Sequence, residues 1–375
     1  MKIRYRQGSD GFSAVAKVYG PGEHGIDISR IDKDAANVVS RLNSNGYEAY
    51  IVGGAVRDLM LGKIPKDFDV ATSASPRQVH KVFHNSRIIG RRFRIVHVAF
   101  GQKIIEVSTF RSIREHSQGR DNCFGTIEED ASRRDFSINS LYFNPDDNTV
   151  IDFNNSLEDF RRHRITSLIP LDRTFDEDPV RMLRAVKYSV TTGFRLRRGI
   201  AVAIRLNAPL LQTVSTSRLT EELNKILSSG FSAPIIEKLR KFRLLVYVLP
   251  CYSVHVPNEK LRHSLEELDR KVMLHRTDAK TPEVPGAMQY LALCSPLLII
   301  PDSGFSPAEA ASDLLRQMKI LISPNTPPNH ELEEAVRKFM ILNSLEIPRP
   351  PKKPVSRRSP SSRRARVRPI PGFRH

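Results

Sequence analysis

Hydrophobic periodicity changes once along this chain of 375 residues, near Asp178, and that change restricts the fold more than any other feature. Upstream, apolar residues alternate or come in short runs separated by Gly, Pro, Asn and Asp, the pattern of strands and turns. Downstream they recur every three or four residues, the pattern of a helix face. The spacing predicts a helix from about Asp32 to Asn43, with Ala35, Val38, Val39 and Leu42 inward and Gly46 as its stop. A strand at Tyr50–Val52 then runs into Gly53-Gly54 and a second helix through Val56, Leu59 and Met60. Lys66 to Val70 reads as another strand, and Ser75-Pro76 as a cap with Pro in the first turn. Phe93–Phe100 and Lys103–Phe110 read as a hairpin around Gly101-Gln102, and Phe136–Phe143 and Thr149–Phe153 as the last strands. Beyond Asp178-Pro179, Leu219, Leu223, Ile226 and Leu227 form one helical stripe. Ala311, Leu314, Leu315 and Met318 form another, behind the Ser306 to Glu309 capping box. The expected architecture is an α/β N-terminal half and an all-α C-terminal half.

Composition narrows the function classes. Apolar residues make up 40%, enough for a large core at this length. No stretch approaches the roughly 20 apolar residues of a membrane helix. Leu291 to Ile300 comes nearest and is broken by Pro296. The N-terminus has no apolar signal core, so a cytoplasmic location is expected. Cys123, Cys251 and Cys294 lack paired spacing, which argues against a disulfide framework or a four-cysteine zinc site. Lys and Arg number 59 against 41 Asp and Glu, a formal charge of +18 that points to a polyanionic partner. Ten of those cations lie between Pro348 and His375 with seven Pro and no acidic residue, a composition expected to be disordered.

Four short segments carry chemistry. In Asp67-Phe68-Asp69, residues two apart on a strand put both carboxylates on one face, where a divalent cation would relieve their repulsion. Alone, such a pair reads first as exposed surface on a strand edge. Gly53-Gly54-Ala55-Val56-Arg57-Asp58 places a Gly pair between strand and helix, where backbone N–H groups and Arg57 can meet an anion. Arg133-Arg134-Asp135 supplies two cations for phosphate or ribose oxygens, with Asp135 beside the sugar or a metal. Asp178, Arg181 and Arg184 repeat every three residues and would share a helical face able to pair with a base edge. Glu106 alternates with Ile105 and Val107, so it points either toward the same carboxylates or to plain solvent. His80, His84, His97 and His116 show no metal-ligand spacing and read as surface or packing residues.

In this order, from about His24 to Lys225, the four segments resemble the class II tRNA nucleotidyltransferase/poly(A) polymerase family, whose heads are polymerase β-like. The resemblance implies Mg2+ as two ions on Asp67 and Asp69, with Mn2+ as a substitute. It implies Gly53, Gly54 and Arg57 on a triphosphate. It places Arg133, Arg134 and Asp135 near the ribose, with Asp135 a further active-site carboxylate. Asp178, Arg181 and Arg184 would then read the incoming base. It divides the chain into an irregular N-terminal arm (1–28), a nucleotidyltransferase head (29–160), a base-reading helical neck (161–230), an RNA-binding helical body (231–347) and a disordered Arg/Pro-rich tail (348–375). Ile89 to Val98, Asn43 to Val52, Arg120 to Asp135 and the basic tail are similar to the bacterial poly(A) polymerase branch. The implied activity is template-independent addition of AMP from ATP to RNA 3′ ends, in mRNA processing and decay. A CCA-adding tRNA nucleotidyltransferase and an inactive RNA-binding relative are the alternatives. Where many relatives carry Gly-Gly before the helical part, this chain has Asn155-Ser156, and Asn155 is expected to take the left-handed conformation there.

Overall fold

The structure is a computed structural model that describes residues 1–8, 11–90, 94–112, 124–255, 258–278, 280–301 and 304–348. The expected disordered tail lies outside the described residues, apart from its first residue, Pro348. So do residues 113–123, with His116 and Cys123, and the 91–93 part of the branch-specific segment.

Nine strands make one sheet: β1 (Lys2–Gly8), β2 (Gly11–Tyr19), β3 (Ala49–Val52), β4 (Asp69–Thr72), β5 (Ser86–Ile89), β6 (Ile95–Phe100), β7 (Lys103–Thr109), β8 (Tyr142–Asn144) and β9 (Thr149–Asp152). Their order is β1-β2-β9-β8-β3-β4-β7-β6-β5. Every neighbouring pair is antiparallel except β4 and β7, which run parallel with Asp69 opposite Glu106. Strand alternation divides the core between two faces. Ala49 and Ile51 of β3 join Val38, Leu42, Val56, Leu59, Val70 and Val107 on the face covered by the Lys33–Ser44 and Gly54–Met60 helices. Tyr50 and Val52 join Ala71, Phe110 and Tyr142 on the other.

The helix ends follow local chemistry. Asp32 accepts from the backbone N–H of Asp34 and Ala35 to open Lys33–Ser44, and Gly46 at φ +81° follows its end. Ser75 and Gln78 form a capping box on Pro76–Val82, as do Ser306 and Glu309 on Pro307–Ile322. The Thr216–Leu227 helix buries the expected Leu219, Leu223, Ile226 and Leu227. Asn155 sits at φ +54°, the left-handed conformation its position requires. From Phe136 and Phe160 through Leu183, Leu239, Tyr252 and Leu314 to Met340, one continuous apolar cluster joins all the later helices. No helix among the described residues is long and apolar enough to cross a membrane.

Four sequence expectations need correction. The 1–28 segment is not irregular: β1 and β2 form a hairpin that extends the sheet, with Val18 opposite Ile151 of β9. Its alternation is carried by Ala14, Ala16 and Val18, too weak to read alone, and the free edge of β9 supplies the pairing. The strand expected from Lys66 begins only at Asp69. Its partner β3 ends at Val52, opposite Asp69, because Gly53 at φ +70° turns that chain away. Phe136–Phe143 is not one strand: Ser137–Asn139 is a 3-10 turn held by Asn139 N–H to Phe136 O (3.0 Å) and Ser140 N–H to Ser137 O (3.1 Å), and pairing resumes at Tyr142. Strands also continue past Phe153. Arg164–Ile165 and Arg195–Leu196 pair in parallel, bracketing the Val180–Thr191 helix.

Candidate active site

The acidic residues meet where β4 emerges from the sheet. Asp69 opens β4, its in-register neighbour on β7 is Glu106, and Asp67 precedes it in the entering loop. Glu106 projects opposite to the buried Ile105 and Val107, so the parallel register brings it to the two aspartates. Asp69 is exposed at the start of β4, yet the protein around it removes much of the hydration its charge would have in water. Burial, then Glu106, then Asp67 push its pKa up to about 6, while Arg134 and Lys225 oppose the rise. His97 Nε2 comes within 3.4 Å of Glu106 without hydrogen-bond geometry.

These groups suit a hard divalent cation. Their oxygens are the right donors, and the crowding at Asp69 is charge that local cations do not neutralise. Among the described residues no group of three or more His, Cys, Asp or Glu would hold a metal alone. Mg2+ commonly takes one or two carboxylates and completes its shell with substrate phosphates and water. The residues fit that mode.

Gly53 closes the turn beside the carboxylates. Its φ of +70° and ψ of −129° favour glycine, and a Cβ there would lie 3.6 Å from Arg134 Nη1. Gly54 begins the Gly54–Met60 helix, and Arg57 one turn on is held on several sides. Its guanidinium donates to Asp58 (2.8 Å) and Asn139 Oδ1 (3.0 Å), and its Cζ lies 4.9 Å from the Tyr188 ring centre.

The paired arginines have different surroundings. Arg134 donates to Tyr142 Oη (3.1 Å), Asp130 Oδ2 (3.0 Å) and the Asn139 carbonyl (3.4 Å). Tyr142 in turn donates to Asp130 at 2.6 Å, so this arginine is locked into the head. The Arg133 guanidinium has no hydrogen bond or ion pair within the described residues, the backbone N–H alone donating to the Glu129 carbonyl (3.2 Å). Burial and then Arg111 lower its pKa, and Arg134 and Arg181 add to that. Such a site attracts an anion. Asp135 is buried with both oxygens engaged. Oδ1 accepts from Phe136 N–H (2.8 Å) and Asn139 Nδ2 (3.1 Å), and Oδ2 from Arg184 Nε (2.8 Å) and Nη2 (2.7 Å).

The expected base-reading face is rearranged. Asp178 precedes the Val180–Thr191 helix in an extended conformation (φ −151°), because the residue before Pro179 avoids helical backbone. It therefore does not continue the helical repeat. Its carboxylate accepts from Val180 N–H (3.2 Å) and Arg218 Nη2 (2.9 Å). Arg181 donates to the Thr174 carbonyl (2.9 Å) and Glu177 (3.1 Å), and Arg184 reaches Asp135. Sequence reasoning missed Asp130, Asn139, Tyr142 and Tyr188 as parts of the site. Tyr188 continues the Arg184 face at i+4 and was detectable by that spacing; Asp130 and Tyr142 carried no signal before the fold brought them to Arg134.

The mixed sheet with its acidic pair next to a glycine turn, joined to a helical body, agrees with the resemblance to the class II tRNA nucleotidyltransferase/poly(A) polymerase family, whose models match two segments of the chain. The family model described as "Poly A polymerase head domain" matches residues 49–166, and "Probable RNA and SrmB- binding site of polymerase A" matches 193–255. The chain is 43% identical over 267 residues to Poly(A) polymerase I of Salmonella typhi, covering 66% of this chain and 57% of that protein. It is 36% identical over 220 residues to the CCA-adding enzyme of Geobacillus thermodenitrificans, covering 58% of this chain and 54% of that one. The chain thus spans somewhat over half the length of these relatives. The Bacillus stearothermophilus CCA-adding enzyme in complex with CTP superposes with a TM-score of 0.56 at 26% identity, over 84% of this chain and 83% of that one.

Proposed function

We propose that the chain is a polynucleotide adenylyltransferase that adds AMP from ATP to RNA 3′ ends without a template, in the cytoplasm, as part of mRNA processing. The observation that carries this reading is the in-register pairing of Asp69 with Glu106 beside Asp67, an acidic floor crowded enough to hold Asp69 near pKa 6. The higher identity to poly(A) polymerase I than to the CCA-adding enzyme favours ATP as the sole nucleotide.

Asp67 and Asp69 are assigned as the ligands of two Mg2+ ions, for which Mn2+ would substitute, completed by the nucleotide's own phosphates. When bound, the metal supplies Lewis-acid activation of the RNA 3′ hydroxyl and neutralises the departing pyrophosphate. The protein supplies the rest by positioning. Gly53 and Gly54 let the backbone approach the triphosphate, and Arg57 and Arg133 offer cations to it. Arg134 shapes the Gly53 turn from behind. Asp135 is assigned to orienting Arg184 and Asn139 around the sugar, a positioning role that its occupied oxygens suit. Asp178 and Arg181 sit at the head of the helix where the base would lie, and would exchange their present partners for it. The head is assigned to about 29–160 together with the β1–β2 hairpin that extends its sheet, the neck to 161–230 and the RNA-binding body to 231–347.

The test offers ATP, CTP or both with a short unstructured RNA and with a tRNA lacking its terminal CCA. Long tails on either RNA with ATP alone are expected. Three-nucleotide addition confined to the tRNA and dependent on CTP would establish the CCA-adding reading instead. Asp67→Ala and Asp69→Ala should each lower nucleotide addition by at least about a thousandfold, roughly 4 kcal/mol of transition-state stabilisation, while RNA retention on a filter stays unchanged. Wild-type RNA binding without any addition would point to the inactive relative.

A further inference from the structure

One aromatic ring closes a circuit that joins the three nucleotide-facing segments. Arg57 Nη1 donates to Asn139 Oδ1 at 3.0 Å, and Asn139 Nδ2 donates to Asp135 Oδ1 at 3.1 Å. The other Asp135 oxygen accepts from Arg184 Nε at 2.8 Å. Arg184 Cζ then lies 5.7 Å from the Tyr188 ring centre, and Arg57 Cζ lies 4.9 Å from the same ring. The loop is complete: it leaves Arg57, passes through the 135–139 turn and the Val180–Thr191 helix, and returns to Arg57. Phe136 meets the ring edge-on at 6.2 Å and 82°, which fixes its plane. The Tyr188 hydroxyl makes no hydrogen bond among the described residues, so the ring face is the working part.

We propose that Tyr188 is a positioning residue for nucleotide binding, its ring holding Arg57 and Arg184 at a fixed separation. This rests on the adenylyltransferase reading, in which the first arginine meets the triphosphate and the second adjoins the sugar. Two guanidinium groups brought toward one spot repel each other. The negative face of an aromatic ring offsets that repulsion without adding a carboxylate that would compete with phosphate for the same cations. Without the ring, the two arginines stay linked only through the Asn139–Asp135 side of the circuit, and the nucleotide must complete their ordering as it binds.

Tyr188→Met keeps similar volume and removes the π face; Tyr188→Phe keeps the face and removes the hydroxyl. Calorimetric titration with ATP–Mg2+ should show Kd about tenfold weaker for the Met variant and within about twofold of wild type for Phe, the size expected from losing the two arginine contacts; Lys187 Nζ, 5.3 Å from the same ring, keeps its separate partner Glu222 in both variants. In steady-state assays with saturating RNA, the Met variant should raise KM for ATP while kcat changes less than about threefold. Asn139→Ser opens the circuit on its other side. It should weaken ATP binding as well, and combined with Tyr188→Met it should fall short of additivity. Thermal melting confirms that each variant is folded at the assay temperature, and Asn139→Ser decides the matter if the Met variant is not. Wild-type affinity in Tyr188→Met, or equal impairment in Tyr188→Phe, would overturn the proposal. Because the titration reads binding alone, a protein that binds ATP but extends no RNA would overturn the activity reading and leave this comparison intact.

Discussion

Asp69 is where chemistry and stability pull in opposite directions. Its pKa of about 6 stands above the ordinary 3.8 because burial, Glu106 and Asp67 all disfavour its charge. A carboxyl raised in this way holds its proton more tightly in the folded than in the unfolded protein. The ionised group therefore penalises the fold at neutral pH. That penalty fades as pH falls through about 6 toward 3.8. A divalent cation would relieve the same penalty at pH 7.5 without the proton. Magnesium should therefore raise the melting temperature at pH 7.5 and raise it much less at pH 5, measured against an EDTA control. Asp69→Asn should melt higher than wild type in metal-free buffer at pH 7.5 and lose the magnesium increment. Equal increments at both pH values would remove Asp69 from the ligand set. Asp67, Asp69 and Arg57 were visible in the sequence because their types and spacing already imply a cation or an anion. Asp130 and Tyr142 were not, since their meaning lies in the side chain of Arg134 and only the fold brings them to it.

The Val180–Thr191 helix connects the head to the rest through charge as well as apolar packing. Lys187, 8% exposed, donates to Glu222, 4% exposed, at 2.8 Å across to the Thr216–Leu227 helix. Lys225 adds a second contact to Glu222 at 3.2 Å. Burial raises the Glu222 pKa, but the two lysines lower it further, so the Glu222 carboxylate is held below its ordinary range. This depressed pKa stabilises the fold above the ordinary carboxylate range, and the contribution is lost as pH falls through the depressed value. Glu222→Gln would leave the Lys187 ammonium buried without a counter-charge. It should cost about 3–5 kcal/mol in urea denaturation. Lys187→Met combined with Glu222→Leu should lose much less, because neither charge is left unpaired. Sequence periodicity located one helix by its apolar stripe and the other by its expected Asp178, Arg181 and Arg184 face, but a lysine and a glutamate 35 positions apart carry no mutual signal until the helices pack. The same limit explains the first two strands, whose small residues form a hairpin because a sheet edge is waiting for them.

Across the whole molecule, the +18 charge has separable parts. Arg134 and Lys225 act on the acidic floor, and many other cations are paired, as Arg164 is with Asp159 and Arg218 with Asp178. More than half of the excess lies in residues 348–375, which carry ten cations and no carboxylate. A segment of that composition contributes to polyanion binding mainly by releasing condensed counterions. On single-stranded RNA each neutralised phosphate adds about 0.7 to the slope of log affinity against log salt. Deleting 348–375 should therefore weaken RNA binding at low salt and lower that slope by several units if most of the ten cations engage. Affinity for ATP–Mg2+ should hardly change, because the nucleotide-facing residues all lie upstream. Filter binding of a short unstructured RNA from low to moderate salt, paired with calorimetry for ATP, separates the two effects. A slope unchanged by the deletion would assign RNA retention to the helical body alone. A lowered slope with weakened ATP binding would mean that this segment also reaches the nucleotide cleft.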